Sequence, residues 1–179
     1  MKPLRISLLH LASVPGAIEA NRRLIENATQ IAASYGDDWV VSPELAVCGY
    51  GFTDLIETDW IMPEPGEWMS SFCEVVRALR VNVFLSHPER EPEGMALYNS
   101  VFFIHSGGAI SARHRKINTA SDGWSSAGSV IEPAEWNGTK VGVRFAQMPI
   151  LRMLQPRFPA PEGDHRVAAV GHVAAEARW

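Results

Sequence analysis

The sequence has few cysteines, no long apolar run and no excess of basic charge, and each deficit excludes a class of protein. Two cysteines, Cys48 and Cys73, are too few for a disulfide-stabilised scaffold, so we expect a reducing, cytoplasmic setting. The start MKPLRISLLH lacks the long apolar run expected of a secretory signal, and no segment approaches the roughly 18 consecutive apolar residues of a membrane span. Sixteen basic against twenty acidic residues give a net charge of −4, so neither nucleic acid nor a membrane is an expected partner.

Phosphate-binding and metal-binding motifs are also absent. Neither G-x-G-x-x-G nor G-x-x-x-x-G-K-[ST] occurs, so no loop for cradling a nucleotide phosphate is indicated. The six histidines and two cysteines show no H-x-x-x-H or C-x-x-C spacing, which are common arrangements of zinc ligands. We therefore expect no cofactor and no metal ion.

The chain contains enough hydrophobic residues for one domain, and its last 36 residues differ from the rest in charge and proline content. Its 179 residues are 46% hydrophobic, which suits a single domain with a real core. Residues 1–143 carry eleven basic and seventeen acidic side chains, whereas residues 144–179 carry five arginines and three acidic residues. Four prolines fall between positions 149 and 161, and proline disrupts both helices and central strands. We therefore predict an ordered unit over 1–143 and an irregular tail over 144–179.

Hydrophobic periodicity predicts alternating strands and helices, followed by hairpins. The alternating part consists of strands at 4–9, 39–41 and 81–85 and helices over 18–32 and 68–79. One hairpin is predicted for 98–115 around Gly107-Gly108, and a second for 131–143 around Asn137-Gly138. This order favours an α+β (α/β) protein with helices on one face of its sheet, and it fits a purely parallel Rossmann sheet less well.

Two charged residues at strand ends are candidates for chemistry. Glu44 follows the apolar strand 39–41, where a carboxylate can act as a general base; the alternative is a solvated loop glutamate. Lys116 closes the cluster Arg113-His114-Arg115-Lys116, where an ammonium can stabilise an oxyanion. Its alternative is a solvated basic residue of the kind common on edge strands.

The order of several short motifs carries more information than any one of them. Together they resemble the nitrilase or carbon-nitrogen hydrolase superfamily over residues 4–143. These motifs are Pro43-Glu44-Leu45, Gly49-Tyr50, Pro88-Glu89-Arg90, Tyr98-Asn99-Ser100, Arg115-Lys116 and Val141-Gly142-Val143. The resemblance implies a four-layer α-β-β-α sandwich, incomplete here at the carboxyl terminus, and a Glu-Lys-Cys triad that cleaves C–N bonds of small amides, carbamoyl compounds or nitriles.

The resemblance also assigns roles to individual residues. Glu44 matches the glutamate that deprotonates the thiol and later activates water, and Lys116 matches the lysine that stabilises the tetrahedral intermediate. Asp122-Gly123-Trp124 falls where several amidases of the family have Glu-Gly-Trp, so Asp122 is a candidate acid near the substrate. Asp122 is shorter by one methylene than glutamate, and a simple turn aspartate before glycine is the alternative interpretation.

The expected nucleophile is missing. In the family, a cysteine follows the Val-Gly-Val strand after two further residues, which here places it at Ala146. The codons for residues 144–149, read in a neighbouring frame, permit Val-Cys-Ala-Asp-Ala, so we predict a frameshift near residue 143. It would also account for the altered tail and for a length short of a complete family domain. Cys48 and Cys73 do not match the family position, and we expect both to be buried and inert.

The sequence thus predicts a carbon-nitrogen hydrolase by lineage, acting on a small amide-like molecule, with little or no turnover by this chain. The alternative is a catalytically silent binding or assembly module on the same scaffold. Association into a homo-oligomer is a further expectation, because missing strands would leave apolar surface exposed.

Overall fold

The computed structural model describes residues 3–119, 123–130, 133–145 and 165–170 of the chain. Two α-helices, eight strands and a 3-10 helix at Phe52–Asp54 lie within these ranges. The α-helices and strands are β1 (Ile6–Leu8), α1 (Ile18–Ser34), β2 (Trp39–Val41), α2 (Glu67–Leu79), β3 (Asn82–Arg90), β4 (Leu97–Ile104), β5 (Ile110–Arg115), β6 (Ala134–Trp136), β7 (Thr139–Phe145) and β8 (His165–Val170). In the described part of the chain, neither helix is long and apolar enough to cross a membrane.

The larger sheet has five strands in the order β1-β2-β3-β4-β5. Strands β1, β2 and β3 are parallel because α1 and α2 form the crossovers between them, and β3, β4 and β5 are antiparallel. The smaller sheet has the order β6-β7-β8, with β6 antiparallel and β8 parallel to β7. The predicted strand–helix alternation and the first hairpin are confirmed, and the sheet is mixed rather than purely parallel.

The two faces of the five-stranded sheet are covered by different layers. Alternate strand residues point to what we call the helix-side face, where Val83, Leu85 and Phe102 pack against α1 and α2. The intervening residues point to the inner face, where Trp39 and Phe84 pack against the smaller sheet. The rings of Trp39 and Trp136 meet edge to face at 5.2 Å between centroids. The described residues therefore form consecutive helix, sheet and sheet layers, as expected of an α+β sandwich.

Strand β3 extends further than its sequence indicates, since it continues through Pro88 to Arg90. The backbone N–H of Ser86 donates to the Ser42 side chain, on the side of β3 that faces β2. Backbone nitrogens two residues apart along a strand face the same way, so the nitrogen of Pro88 also faces the side of β2. Strand β2 has already ended there, at Val41. The proline is therefore tolerated because no strand hydrogen bond is lost there.

The segment for which we expected irregular chain contains regular structure in two places. Strand β7 continues through Phe145, and His165–Val170 forms β8 beside it. The latter stretch has no proline and ends in four apolar residues, Val167 to Val170, which suits a parallel strand. The second predicted hairpin is present around Asn137-Gly138, with β6 and β7 as its strands.

His87 lies on the helix-side face of β3, is only 1% exposed, and stacks on Trp68 with 5.8 Å between ring centroids. Burial lowers the pKa of His87 from 6.5 to about 4 because the imidazolium form would lose its hydration. Between pH 4 and pH 6.5, His87 therefore binds a proton in the unfolded chain but not in the folded chain. Acid therefore destabilises the fold through this residue, and stability is regained as the pH rises towards 6.5.

We predict that the free energy of unfolding attributable to His87 is about 2 kcal/mol lower at pH 5 than at pH 7.5. Urea unfolding of the native chain and of His87→Asn at both pH values measures this difference. The nearby Glu64 has a pKa raised by burial, which acts in the opposite direction and remains in both proteins. Equal pH dependence in the two proteins would contradict the prediction.

Candidate active site

Glu44 is carried by a tight bend immediately after β2. The Ser42 backbone N–H donates to the Phe84 carbonyl, which continues the pairing of β2 with β3. The Leu45 N–H then donates to Ser86 Oγ at 2.9 Å, and Leu45 adopts a left-handed conformation with a φ of 53°. This bend turns the Glu44 side chain inward, where it is 7% exposed. The alternative of a solvated loop glutamate therefore does not hold.

Lys116 follows directly after β5 and is fixed through its backbone on both sides. Its N–H donates to the Asn99 carbonyl at 2.8 Å, and its carbonyl accepts from the Gly128 N–H at 2.8 Å. A Cβ at position 128 would lie 2.5 Å from the Arg115 carbonyl oxygen, so only glycine permits this approach. Lys116 is 9% exposed, so it is not a solvated residue on the sheet edge.

The two candidates meet although 72 residues separate them in sequence. Lys116 Nζ lies 2.8 Å from Glu44 Oε1, close enough for a charge-assisted hydrogen bond. Because both side chains are largely removed from water, their attraction is screened much less than that of a surface pair. The structure therefore brings together the two residues that the sequence singled out.

Two further residues bind the Glu44 carboxylate. Asn99 Nδ2 donates to Oε1 at 2.8 Å, and the Tyr50 hydroxyl donates to Oε2 at 2.9 Å. Both residues belong to motifs that carry the family resemblance, but the resemblance as stated gave neither a role at the site. The predicted hairpin contained a signal for Asn99, since pairing Ser100 with Arg115 makes Asn99 the cross-strand neighbour of Lys116.

The end of β7 lies beside this pair. The centroid of the Phe145 ring is 5.8 Å from Lys116 Nζ and 5.8 Å from the centroid of the His114 ring. Phe145 directly precedes Ala146, the position at which the family resemblance places the nucleophile. Ala146 lies outside the described residues, and so does Asp122, the candidate acid near the substrate.

An aromatic group lies in the loops around Tyr50. The ring of Phe52 is 5.2 Å from that of Trp124 and 5.7 Å from that of Trp60 between centroids, both edge to face. Trp124 belongs to the Asp122-Gly123-Trp124 motif, so this contact joins the motif to the apolar cluster that includes Leu45, the residue after Glu44. Within the described residues, no group of three or more His, Cys, Asp or Glu side chains could hold a metal ion.

Neither cysteine lies at the position where the family resemblance places the nucleophile, and both are buried. Cys48 is fully buried in an apolar cluster with Phe52 and Ile61, and burial strongly raises the pKa of its thiol. Cys73 belongs to α2 and packs in the helix-side core, on the opposite side of the sheet from Glu44. Burial, with Glu74 and Glu64 nearby, also raises the pKa of the Cys73 thiol. Both cysteines are buried, as expected.

We predict that iodoacetamide at pH 8 modifies Cys48 at least about 100-fold more slowly in the native chain than in urea, because only the exposed thiolate reacts. Peptide mapping by mass spectrometry at timed intervals measures the rate at each cysteine. Equal rates in the native and unfolded chains would contradict the buried position of Cys48.

Comparisons with known proteins identify the family of the chain. The sequence model described as carbon-nitrogen hydrolase matches residues 5–146. A glutamine-dependent NAD(+) synthetase from Thermotoga maritima is 27% identical over 176 residues, covering 94% of this chain and 30% of that protein. Since the family match ends at residue 146, this second match extends beyond it.

Solved structures share the fold at lower identity. Nit3 of Saccharomyces cerevisiae, a nitrilase-superfamily member, has a TM-score of 0.69 and 20% identity, covering 79% of this chain and 55% of its own. A cysteine-to-alanine mutant of the amidase from Nesterenkonia sp. AN1, in complex with butyramide, has a TM-score of 0.66 and 19% identity, covering 80% and 56%. This chain thus spans about half the length of these structures and under a third of the curated relative. By its family match over most of its length, the chain belongs to the carbon-nitrogen hydrolase family.

Proposed function

We propose that Glu44 and Lys116 are the base and the oxyanion partner of an amide-hydrolysing site, and that this chain binds a small carboxamide with little or no turnover. The observation that supports this most directly is the 2.8 Å contact between the two buried side chains. A carboxylate and an ammonium so arranged can exchange a proton with a thiol and steady the negative charge on a former carbonyl oxygen.

The reaction needs a nucleophile that this sequence does not supply at the expected position. In the complete site, Glu44 would take the proton of a cysteine thiol at position 146, and the thiolate would attack the amide carbon. Lys116 would stabilise the oxyanion, the amine would leave with a proton from Glu44, and water activated by Glu44 would then release the acid. A methyl group at Ala146 cannot form the first bond, so binding without efficient hydrolysis is the expected behaviour.

Primary carboxamides are the substrate class that the relatives favour. One relative is glutamine-dependent by name, and the amidase mutant with alanine in place of a cysteine holds butyramide. We therefore propose glutamine and butyramide as the first compounds to test. The Lys116 ammonium and the Tyr50 hydroxyl both donate to the Glu44 carboxylate. Both groups are therefore close to any substrate carbonyl that approaches this carboxylate.

The test combines binding with ammonia release. Purified chain is titrated with butyramide and with glutamine while ¹H–¹⁵N spectra are recorded, and ammonia is assayed in parallel. We expect saturable shifts near Glu44 that disappear in Glu44→Gln, together with ammonia release at the background rate. Absence of any saturable shift would contradict the proposed site. Rapid ammonia release that Glu44→Gln abolishes would contradict the proposed inactivity.

The predicted frameshift near residue 143 has its own test. If it is correct, resequencing the coding DNA across codons 140 to 150 reveals one base lost or gained, and the restored frame encodes Val-Cys-Ala-Asp. An unaltered reading frame, confirmed by the intact mass of the expressed protein, would contradict the frameshift and leave Ala146 as the native residue.

A further inference from the structure

A fully buried carboxylate lies on the opposite face of the sheet from the candidate site. Glu89, on β3, is 0% exposed and accepts hydrogen bonds from three side chains. Ser100 Oγ and Arg115 Nε donate to its Oε1 at 2.7 and 2.8 Å, and Arg113 Nη1 donates to its Oε2 at 2.8 Å. Isolated buried carboxylates are costly, so Glu89 depends on these donors from β4 and β5.

The same arginines lie just before Lys116 in the chain and face the other side of the sheet. Arg113 pairs with Phe102 in the β4–β5 ladder and Arg115 pairs with Ser100, so both arginines face the helix side. Because side chains alternate along a strand, the residue after Arg115 faces the inner side. Lys116 does so, and there it reaches Glu44. Glu89 and Glu44 thus bind two adjacent residues, Arg115 at the end of β5 and Lys116 directly after it, from opposite faces of the sheet.

Strand β5 needs such a restraint because it lies at the edge of the sheet. Among the described strands it pairs with β4 alone, and the ladder between them is irregular at Phe103 and Ile104. A slip by one residue would exchange the two faces and turn Lys116 away from Glu44. The slip would also withdraw both arginines from Glu89, which would leave its charge buried without partners.

Arg115 is held by further contacts in the same orientation. Its guanidinium lies 3.8 Å from the centroid of the Tyr98 ring, and its Nη1 is 3.1 Å from Glu91 Oε2. Glu91 also accepts from the Tyr98 hydroxyl at 2.7 Å. These contacts of Arg115 are partly exposed, whereas its contact with Glu89 is buried on the carboxylate side.

We propose that Glu89 is a positioning residue for Lys116: it draws Arg113 and Arg115 to the helix-side face and thereby fixes the register that points the Lys116 ammonium at Glu44. The catalytic meaning of this placement rests on the proposed amide-hydrolysing function. The placement itself can be measured without turnover.

The test follows the Lys116 ammonium by NMR in protein labelled with ¹⁵N-lysine, and the sequence has only three lysines to assign. In the full chain, we expect the Lys116 ammonium protons to exchange with water slowly because the group is buried and bound to Glu44. In Glu89→Gln, this exchange should accelerate at least about tenfold while the dispersed amide spectrum is retained. Glu74→Gln is the matched control, since it removes a carboxylate that pairs with Arg77 on the exposed surface of α2.

Unchanged exchange at Lys116 in folded Glu89→Gln would overturn the proposal, even if the variant were less stable. Should Glu89→Gln fail to fold, Arg113→Gln decides, because Arg113 is 41% exposed and supplies one of the three donors. Acceleration at Lys116 in this milder variant would support the proposal, and unchanged exchange would overturn it. Neither result depends on amide binding, so failure here is distinguishable from failure of the proposed function.

Discussion

Replacing Ala146 with cysteine is expected to raise the rate of ammonia release from glutamine or butyramide at least about 100-fold above the rate of the chain with Ala146. The reason is that Glu44 and Lys116 are already in contact, so the missing element is the atom that attacks the carbonyl. The family resemblance places the nucleophile at position 146, directly after Phe145, whose ring centroid lies 5.8 Å from Lys116 Nζ. Steady-state ammonia assays with both amides measure the gain.

Two matched variants give this prediction its controls. Ala146→Ser introduces a hydroxyl of similar size, a much weaker nucleophile, and should release far less ammonia. Glu44→Gln combined with Ala146→Cys should also return the rate to background, because the thiol then lacks its base. Ammonia release from Ala146→Cys that is unaffected by Glu44→Gln would contradict the assignment of Glu44, and no gain at all would contradict the assignment of the nucleophile to position 146.

Breaking the buried ion pair is expected to have the largest effect on stability. Glu44→Gln removes the carboxylate that the buried Lys116 ammonium binds, and Lys116→Met removes the ammonium that the buried Glu44 carboxylate binds. Each single change should lower the free energy of unfolding by about 3 kcal/mol or more, because the remaining buried charge loses the opposite charge that offsets its lost hydration. Urea unfolding monitored by tryptophan fluorescence measures both losses.

The double variant Glu44→Gln/Lys116→Met separates the pair from other effects at the site. With both charges removed, the loss should be clearly smaller than the sum of the two single losses. The exposed pair Glu74 and Arg77 provides the comparison, and Glu74→Gln should change stability by less than about 1 kcal/mol. Losses at Glu44 and Lys116 that simply add would contradict a direct interaction between them.

Local sequence patterns predicted the elements that depend on neighbouring residues. The periodicity of residues 18–32 anticipated α1, and the Gly107-Gly108 turn anticipated the hairpin of β4 and β5. The end of β2 before Glu44 was also evident, because the apolar run stops at Ser42-Pro43. Each of these features follows from side chains close together in the chain.

Contacts between distant residues were less accessible to sequence reasoning. The burial of Glu89 depends on Arg113 and Arg115, which lie 24 and 26 residues later in the chain. Predicting these contacts requires knowing which face of the sheet the two arginine side chains lie on. The contact of Tyr50 with Glu44 depends on the loop conformation between them. The strand at 165–170 depends on β7 as a partner, and its proline-rich surroundings concealed it.

The pairing of Glu44 with Lys116 was anticipated through the family resemblance rather than through periodicity. Order and spacing of short motifs identified both residues, and the structure then placed them 2.8 Å apart. The variants above test the catalytic roles of Glu44 and position 146, and those of Lys116 and Asp122 also stay predictions.

The most direct test of the central claim is a crystal structure of the Ala146→Cys variant. If Glu44 and Lys116 form an amide-hydrolysing site that lacks only a thiol, the new Sγ lies within about 4 Å of both the Glu44 carboxylate and the Lys116 ammonium. A sulfur atom that faces another surface, or side chains at positions 44 and 116 that lie apart, would contradict the account.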